Sequence, residues 1–157
     1  HRDLVKRLFE LEVPEIYDGI VEIKSISREA GARTKIAVYS RDENVDAVGA
    51  CIGPKRTRIQ AIVNELNGEK IDIITYSDDP AEFIARALAP AKVLSVKVSE
   101  GELKECSVIV PNDQLSLAIG NRGQNAKLAA KLTGYKIDIK PEMEIADKTS
   151  EPQPADE

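Results

Sequence analysis

The sequence predicts a mixed α/β fold (α+β) built from two copies of one α-β-β-α-α-β unit that pack against each other. Two heptapeptides, NGEKIDI at 67–73 and TGYKIDI at 133–139, recur 66 residues apart. Upstream of each, an apolar pair leads into a glycine, in CIGPKR at 51–56 and in AIGNRG at 118–123. Two anchors repeated in the same order indicate two copies of one supersecondary unit. Each copy has only about 65 residues, a size at which a single core is marginal, so we expect the copies to share packing.

Hydrophobic periodicity gives the elements of the first unit in order. Leu4, Leu8 and Leu11 lie at helical spacing, which predicts an amphipathic helix over 3–13 that Pro14 ends or interrupts. Alternating apolar residues on either side of 29–32 predict a β-hairpin. The remaining elements are a short helix at 46–52, a helix with one buried stripe at 59–66 and a strand at 70–75.

The second unit repeats that order. Asp79 and Pro80 favour a helix start, with Asp as the N-cap and Pro at the first helical position. The elements that follow are strands at 94–98 and 107–110, a short helix capped by Asn112 or Asp113 and ending at Ile119, a helix at 124–132 and a strand at 136–139.

The body of the chain is electrically neutral, and the acidic excess lies at its C-terminal end. The formal net charge is −5, and from Pro141 onward six acidic side chains stand against Lys148 alone. We expect a disordered acidic tail at 141–157, because the segment has prolines and acids but no apolar periodicity. From Lys104 to Lys140, six basic residues stand against three acidic ones. This local excess favours a polyanionic partner only weakly, because most charge runs are solvated helix faces.

Composition also argues against several classes of function. No apolar stretch is long enough to cross a membrane and no secretory signal is present, so we expect a cytoplasmic protein. The only histidine is His1, and Cys51 and Cys106 each lie in an apolar run, which predicts buried thiols and neither a metal site nor a cofactor. Asp72 and Asp138 recur in the KIDI strands among aliphatic residues and lysine, which favours exposed strand positions over catalysis. We therefore predict that the chain is not an enzyme.

The tetrapeptide GNRG, from Gly120 to Gly123, lies between a short helix and a longer one. Glycine has no Cβ, so another molecule can lie against its main chain, and strained dihedral angles cost it little. The first amides and the dipole of the following helix favour phosphate, and Arg122 and Lys127 would add positive charge. A lone G-x-x-G pattern is weak, but this one sits between two helices with a strand beyond, and the setting occurs twice. It resembles the KH RNA-binding domain, whose GXXG loop clamps about four nucleotides.

Longer segments extend the resemblance over nearly the whole chain up to Pro141. They are LFELEVPEIYDGIVEIKSISREAGARTKIAV, DAVGACIGPK, NELNGEKIDII and SLAIGNRGQNAKLAAKLTGYKIDIK. These segments resemble the tandem KH region of the bacterial NusA family of transcription elongation and termination factors. The resemblance implies a first KH domain at 1–76 and a second at 77–140, both of the prokaryotic αββααβ type.

What the NusA family does supplies further expectations. The resemblance implies that the two KH domains form one rigid surface for single-stranded nascent RNA. It also implies roles in pausing, termination and antitermination, with RNA polymerase and other Nus factors as partners. In that family, further N-terminal domains precede the KH pair, and since the chain begins at His1 inside a helical pattern we take it as a fragment. We expect a monomer as the simplest state.

Carried over by position, the resemblance predicts RNA-binding residues at each loop. In the second copy the loop is whole, and the predicted contacts are Gly120, Asn121, Arg122, Gly123, Gln124, Asn125 and Lys127. In the first copy they are Gly53, Pro54, Lys55, Arg56 and Arg58. The first copy departs from the family pattern, because Arg56 stands where the second glycine is usual. Arg56 either narrows the clamp, contacts phosphate together with Lys55 and Arg58, or points to solvent.

Two other classes of function stay open on the sequence alone. A protein-docking module on RNA polymerase, with little RNA binding of its own, is consistent with Arg56 in the first loop. Recognition of double-stranded DNA is less favoured, because the chain has no long basic recognition helix. Saturable binding of single-stranded RNA that weakens with salt distinguishes these classes.

Overall fold

Both halves of the chain fold in the predicted order of elements, in a computed structural model that describes residues 1–143. The predicted tail at 141–157 therefore lies, from residue 144 onward, outside the described residues. The first unit consists of α1 (Arg2–Glu12), α2 (Pro14–Tyr17), β1 (Val21–Glu29), β2 (Arg33–Ser40), α3 (Ala47–Ile52), α4 (Thr57–Glu65) and β3 (Lys70–Thr75). The second unit consists of α5 (Pro80–Ala87), β4 (Ser95–Val98), β5 (Glu105–Val110), α6 (Leu115–Ile119), α7 (Gln124–Thr133) and β6 (Lys136–Pro141). The predicted fold class is confirmed.

Each unit holds one three-stranded sheet with the same topology. β1 and β2 form an antiparallel hairpin, and β3 pairs in parallel with β2 on its other side. β4, β5 and β6 repeat this arrangement. A parallel neighbour can be reached only by a crossover, and in each unit the crossover is a short helix, a tight loop and a longer helix. The predicted RNA-binding loops are the turns inside these crossovers.

The first unit has an aliphatic core on one face of its sheet. Val5 and Phe9 of α1 are fully buried against Ile36 of β2, and Ile59 and Ile62 of α4 complete the cluster. In α1 the outcome differs from the predicted stripe, because Leu4 and Leu11 are 47% and 69% exposed and the buried face is formed by their neighbours. Ile59 and Ile62 belong to the stripe that the sequence predicts for α4. This packing fixes α4 on the sheet and so holds the start of α4, where the loop ends.

The opposite face of the first sheet is covered by the second unit. Ala37 and Ile74 point out of the first unit into a core that otherwise belongs to the second. Three polar side chains tie the units together: Ser25 Oγ donates to the carbonyl of Leu132 at 3.1 Å, Ser27 Oγ to that of Leu128 at 2.8 Å, and Lys35 Nζ to that of Ala89 at 2.8 Å. The expected packing between the two copies is therefore confirmed.

Two local expectations about helix ends have different outcomes. Pro14 ends α1 and begins α2, because proline lacks the N–H that a helix interior needs but suits a first helical position. Asn112 and Asp113 do not cap α6, so the prediction of a cap at one of these residues is wrong. They lie in a 3₁₀ turn before α6, and Asn112 Oδ1 accepts a hydrogen bond from the Met143 N–H at 2.7 Å.

Asp72 is not the exposed strand residue that the sequence suggests. It accepts two hydrogen bonds from Arg33, at 2.8 and 3.0 Å, and one from Lys35 at 2.8 Å. Burial alone raises the pKa of Asp72, but the hydrogen bonds from Arg33 and Lys35 outweigh it, so this pKa lies below its ordinary value. Asp138, its counterpart in the second unit, is 63% exposed and agrees with the expectation.

Candidate nucleic-acid interface

The two predicted loops have the same backbone conformation although their sequences differ. Gly53 and Gly120 both have positive φ with extended ψ, at 77° and 168° and at 83° and 172°. Two positions later, Lys55 and Arg122 both lie in the left-handed region, with φ of 53° and 58°. A helical residue followed by a left-handed one turns successive N–H groups toward one concave side, a geometry that suits anions. Only the second loop has the full set of donors, because Pro54 has no N–H in the first loop. The sequence repeat is thus a repeat of backbone shape.

The first glycine of each loop is required by the protein itself. A Cβ at Gly120 would lie 2.6 Å from the backbone nitrogen of Asn125, and a Cβ at Gly53 would lie 2.6 Å from Cγ of Arg58. The sequence attributed both glycines of GNRG to the close approach of RNA. At Gly120, however, the group that approaches closely is Asn125 of the chain itself.

The fourth loop position has a different role. A Cβ at Gly123 would have no atom within 4 Å, so the main chain there faces open space. The residue lies in the left-handed region, with φ of 75°, and Arg56 holds the same conformation in the first unit, with φ of 62°. A non-glycine residue pays roughly 1–2 kcal/mol for this conformation. Glycine at 123 therefore leaves the space beside the half-buried main chain at the start of α7 empty, whereas Arg56 places an exposed side chain at the corresponding position of the first loop.

Most of the predicted contact residues lie together at the surface around each loop. At the second loop Asn121, Arg122 and Lys127 are exposed, and Gln124 is half-buried. The exposed predicted residues of the first loop are Pro54, Lys55 and Arg56. The first amide of each following helix donates to a carbonyl of its own loop, Thr57 N–H to Pro54 and Gln124 N–H to Asn121. The N-caps of α4 and α7 have no side-chain hydrogen bond, and the helix dipole adds positive potential at the start of each helix.

Two predicted contact residues point into the protein instead. The side chain of Asn125 is buried, and its Nδ2 donates to the carbonyls of Leu88 and Ala118 at 3.0 and 2.9 Å. Arg58 uses Nη1 to bond Glu15 at 2.8 Å and the Ala50 carbonyl at 2.7 Å. Asn125 Nδ2 and Arg58 Nη1 therefore have partners within the chain, whereas the buried Asn125 Oδ1 has none among the described residues. Because these donors are already engaged, we leave both residues out of the contact set.

A cavity of about 440 Å³ adjoins the first loop, and part of its lining was missed by the sequence reasoning. Besides Lys55 and Arg56, it is lined by Thr57, Gln60 and Asn64 along α4. These polar residues are spaced at i, i+3 and i+7, which is the pattern that would have placed them on one exposed helix face. The amide of Gln60 donates to Asn64 at 3.0 Å.

The short helix beside the second loop presents apolar side chains to solvent. Leu117 and Ile119 of α6 are 44% and 36% exposed. Ile137 and Ile139 are half-buried and pack against the second core, so the exposed apolar surface comes from α6.

Neither of the two free cysteines among the described residues offers a reactive thiolate. Burial raises the pKa of Cys51 to about 12 and that of Cys106 to about 11, so both free thiols stay protonated. Within residues 1–143, none of the helices has the length and apolar character needed to cross a membrane.

Family comparison assigns both halves of the chain. The family model of the NusA-like first KH domain matches residues 1–76, and that of the NusA-like second KH domain matches residues 80–147. The NusA protein of Bacillus subtilis, named as a transcription termination/antitermination protein, is 67% identical over 144 residues. The protein of the same name from Halalkalibacterium halodurans is 66% identical over 144 residues, and that from Thermus thermophilus is 55% identical over 147.

These relatives are longer than the chain. The match with the Bacillus subtilis protein covers 92% of this chain but 38% of the relative, and the share of the Halalkalibacterium halodurans protein is 37%. Among solved structures, the crystal structure of APE1850 has a TM-score of 0.62 at 24% identity and covers 87% of this chain and 95% of its own. That likeness concerns the fold alone.

Proposed function

Because the chain belongs to the NusA family, as a tandem of its first and second KH domains, we propose that it binds single-stranded RNA through its two crossover loops. The observation that carries the proposal is the second loop, Gly120–Gly123. Its main chain at Gly123 is uncovered, lies in the left-handed conformation and leads directly into α7. A ribose-phosphate strand can lie against such a backbone and meet the positive end of the helix dipole.

Charged and apolar side chains have separate roles in this proposal. Arg122 and Lys127 contact phosphates, which positions the strand without reading its sequence. Asn121 and Gln124 offer hydrogen bonds beside them. Leu117 and Ile119 of α6 provide apolar surface on which bases rest.

The first loop contributes a second, differently shaped contact. Lys55 and Arg56 are exposed beside the cavity that α4 lines with Gln60 and Asn64. The Arg56 side chain occupies the space that Gly123 leaves open in the second loop, so phosphate meets a guanidinium there and not bare main chain. The second loop is therefore the closer clamp.

The wider role follows from the names of the relatives. We propose that the RNA is the nascent transcript and that the chain acts in pausing, termination and antitermination in the bacterial cytoplasm. RNA polymerase and other Nus factors would be partners of the whole protein, of which this chain is a part.

A titration of fluorescently labelled single-stranded RNA at several salt concentrations tests the proposal. Each phosphate contact contributes about −0.7 to the slope of log affinity against log salt for single strands. A saturable signal whose affinity falls with salt supports RNA binding. A chain without such a signal would be a protein-docking module, the other function that the sequence left open.

Gly123→Asp should weaken RNA binding by at least about tenfold, equivalent to about 1.4 kcal/mol. The carboxylate would stand where phosphate approaches, and the open space around Gly123 lets the chain fold normally. The measurement is the same titration, with circular dichroism to confirm folding. Gly120 is unsuitable for this test, because any side chain there collides with Asn125.

Gly134→Asp is the matched control. Gly134 ends the same helix, has φ of 81° and ψ of 12°, and has equally open surroundings. The control carries the same backbone strain and charge at the far end of α7. Equal RNA affinity in the two variants would contradict the loop as the binding site.

A further inference from the structure

We propose that Asn125 and Arg58 are positioning residues that shape the two loops from inside the protein without touching RNA. Each stands five positions after the first glycine of its loop. The inference rests on the proposed RNA binding, and it explains how two loops with different sequences reach one backbone shape.

In the second unit, Asn125 joins three elements. Its Nδ2 donates to the carbonyl of Ala118 in α6 at 2.9 Å and to that of Leu88, the C-terminal cap residue of α5, at 3.0 Å. The side chain is 1% exposed, and the residue lies directly under Gly120, whose missing Cβ makes the room. The Asn125 side chain thus fixes the end of α6, Gly120 and the end of α5 relative to one another.

In the first unit, Arg58 makes the same connections with different chemistry. Its Nη1 donates to the Ala50 carbonyl in α3 at 2.7 Å and to Glu15 in α2 at 2.8 Å. The Arg58 side chain is 26% exposed and packs under Gly53, where a Cβ would collide with it. As in the second unit, one side chain contacts three places, which here are α2, α3 and Gly53.

The physical need for such a residue lies in the short helices. A helix of five or six residues cannot hold itself together, and its last carbonyls lack partners inside the helix. A donor reaching back from the next helix supplies a partner and fixes the direction in which the chain leaves the short helix. Two chemically different side chains meet this need at the same position of the two units, so the units share a loop geometry and not one particular contact with a ligand.

The first test is Asn125→Ala in the chain, with Thr133→Ala as the matched control. Thr133 Oγ1 also donates to a carbonyl of α7, that of Ala129 at 2.9 Å, but at the end away from the loop. We expect Asn125→Ala to weaken RNA binding by about tenfold, since buried carbonyls lose their donors, and Thr133→Ala to bind as the wild type does.

Amide hydrogen exchange in the RNA-free protein separates positioning from direct contact. If Asn125 positions the loop, residues 120–124 exchange faster in Asn125→Ala before any RNA is added. Unchanged exchange in the free protein, together with weakened RNA binding, would mean that Asn125 touches RNA, and would overturn the inference.

Glu15→Ala provides a second variant for which the two roles predict opposite signs. If Glu15 holds Arg58 in its positioning geometry, its removal loosens residues 53–57 and lowers RNA affinity. If Arg58 is a phosphate ligand, removing Glu15 frees it and raises affinity. Asp18→Ala controls for the lost negative charge, because Asp18 is exposed just after α2. An affinity equal to or above that of Asp18→Ala would overturn the inference.

Failure of the proposed function gives a different result from failure of this inference. A wild-type chain that binds no RNA would refute the function, whereas the hydrogen-exchange comparison needs no RNA. A wild type that binds RNA, with variants that bind and exchange as it does, would refute positioning alone.

Discussion

Arg56 is the residue at which the two loops differ most in what they offer to RNA. It adopts the left-handed conformation that Gly123 adopts in the second loop, and its exposed side chain covers the main chain there. The first loop therefore keeps its backbone shape although a non-glycine residue is strained in that conformation. In place of open space beside the main chain, Arg56 would offer RNA a positive charge.

Arg56→Gly should strengthen RNA binding, by up to about tenfold. Glycine removes the strain of the left-handed conformation and uncovers the main chain, as in the second loop. Lys55→Gly is the control, since Lys55 also has positive φ, at 53°, and its replacement loses a cation without opening the fourth loop position. A lower affinity for Arg56→Gly in the RNA titration would identify Arg56 as a phosphate ligand and refute the steric argument.

Asp72 and Asp138 occupy equivalent strand positions but have different energetic roles. Asp72→Ala should lower the free energy of unfolding by about 3–5 kcal/mol, because it leaves the buried Lys35 ammonium unpaired. Asp138→Ala should change it by no more than about 0.5 kcal/mol, since Asp138 is exposed. Urea denaturation of both variants measures the difference, and equal losses would contradict a structural role for the Asp72 pair.

Among the elements, the helix–loop–helix crossover carries the proposed RNA contacts. It exists because β3 and β6 run parallel to their neighbours, and a parallel connection must leave the sheet and return. The same chain segment therefore covers the core and presents the loop. Each loop leads into α4 or α7, and the side chain five residues after its first glycine, Arg58 or Asn125, packs against that glycine.

Helix α5 begins at a cap that the sequence predicted. The carboxylate of Asp79 accepts from the Ala81 N–H at 3.2 Å, so Asp79→Ala should lower the free energy of unfolding by about 1 kcal/mol. Asp46→Ala is the matched control, because Asp46 precedes α3 but makes no capping hydrogen bond. Thermal denaturation compares the two, and an equal loss in both would show that the observed cap contributes nothing.

In the whole molecule, α7 joins the second crossover loop to the sheet of the first unit. Its first turn follows the second loop, and the carbonyls of Leu128 and Leu132 further along accept hydrogen bonds from Ser27 and Ser25 of the first sheet. The helix that presents the second clamp is thus seated on the first unit, which fixes the spacing and direction of the two loops. A strand of RNA that reaches both would meet a preformed surface.

Ile74→Lys should separate the two units. Ile74 is 3% exposed and lies in the core that the two units share. The equivalent position of the second sheet, whose corresponding face is not covered by another unit within residues 1–143, is Lys140. The substitution therefore places the lysine of the uncovered sheet face in the shared core. We expect a loss of more than about 2 kcal/mol and two thermal transitions in calorimetry. Ile109→Lys, on the open face of the second sheet, should leave a single transition. One unaltered transition in Ile74→Lys would contradict mutual stabilisation of the units.

The sequence by itself determined the fold class, the repeat, the order of the elements and the position of both loops. Local physics suffices for these features: apolar periodicity selects helix or strand, glycine and proline mark the boundaries, and a repeated segment folds the same way twice. The same reasoning explains why Asp79 was correctly assigned as a cap. Long segment similarity to a known family supplied the remaining functional expectations.

Only the tertiary structure decided which side chains face outward and which serve the interior. Asn125 and Arg58 resembled RNA contacts in sequence, yet Asn125 donates to two carbonyls and Arg58 to a carbonyl and a carboxylate of other elements. Asp72 resembled an exposed strand residue, yet it pairs with Lys35 beneath the second unit. A polar side chain has the same letter whether its partner is water, RNA or a buried carbonyl, and its partner is set by elements that come together only when the chain folds.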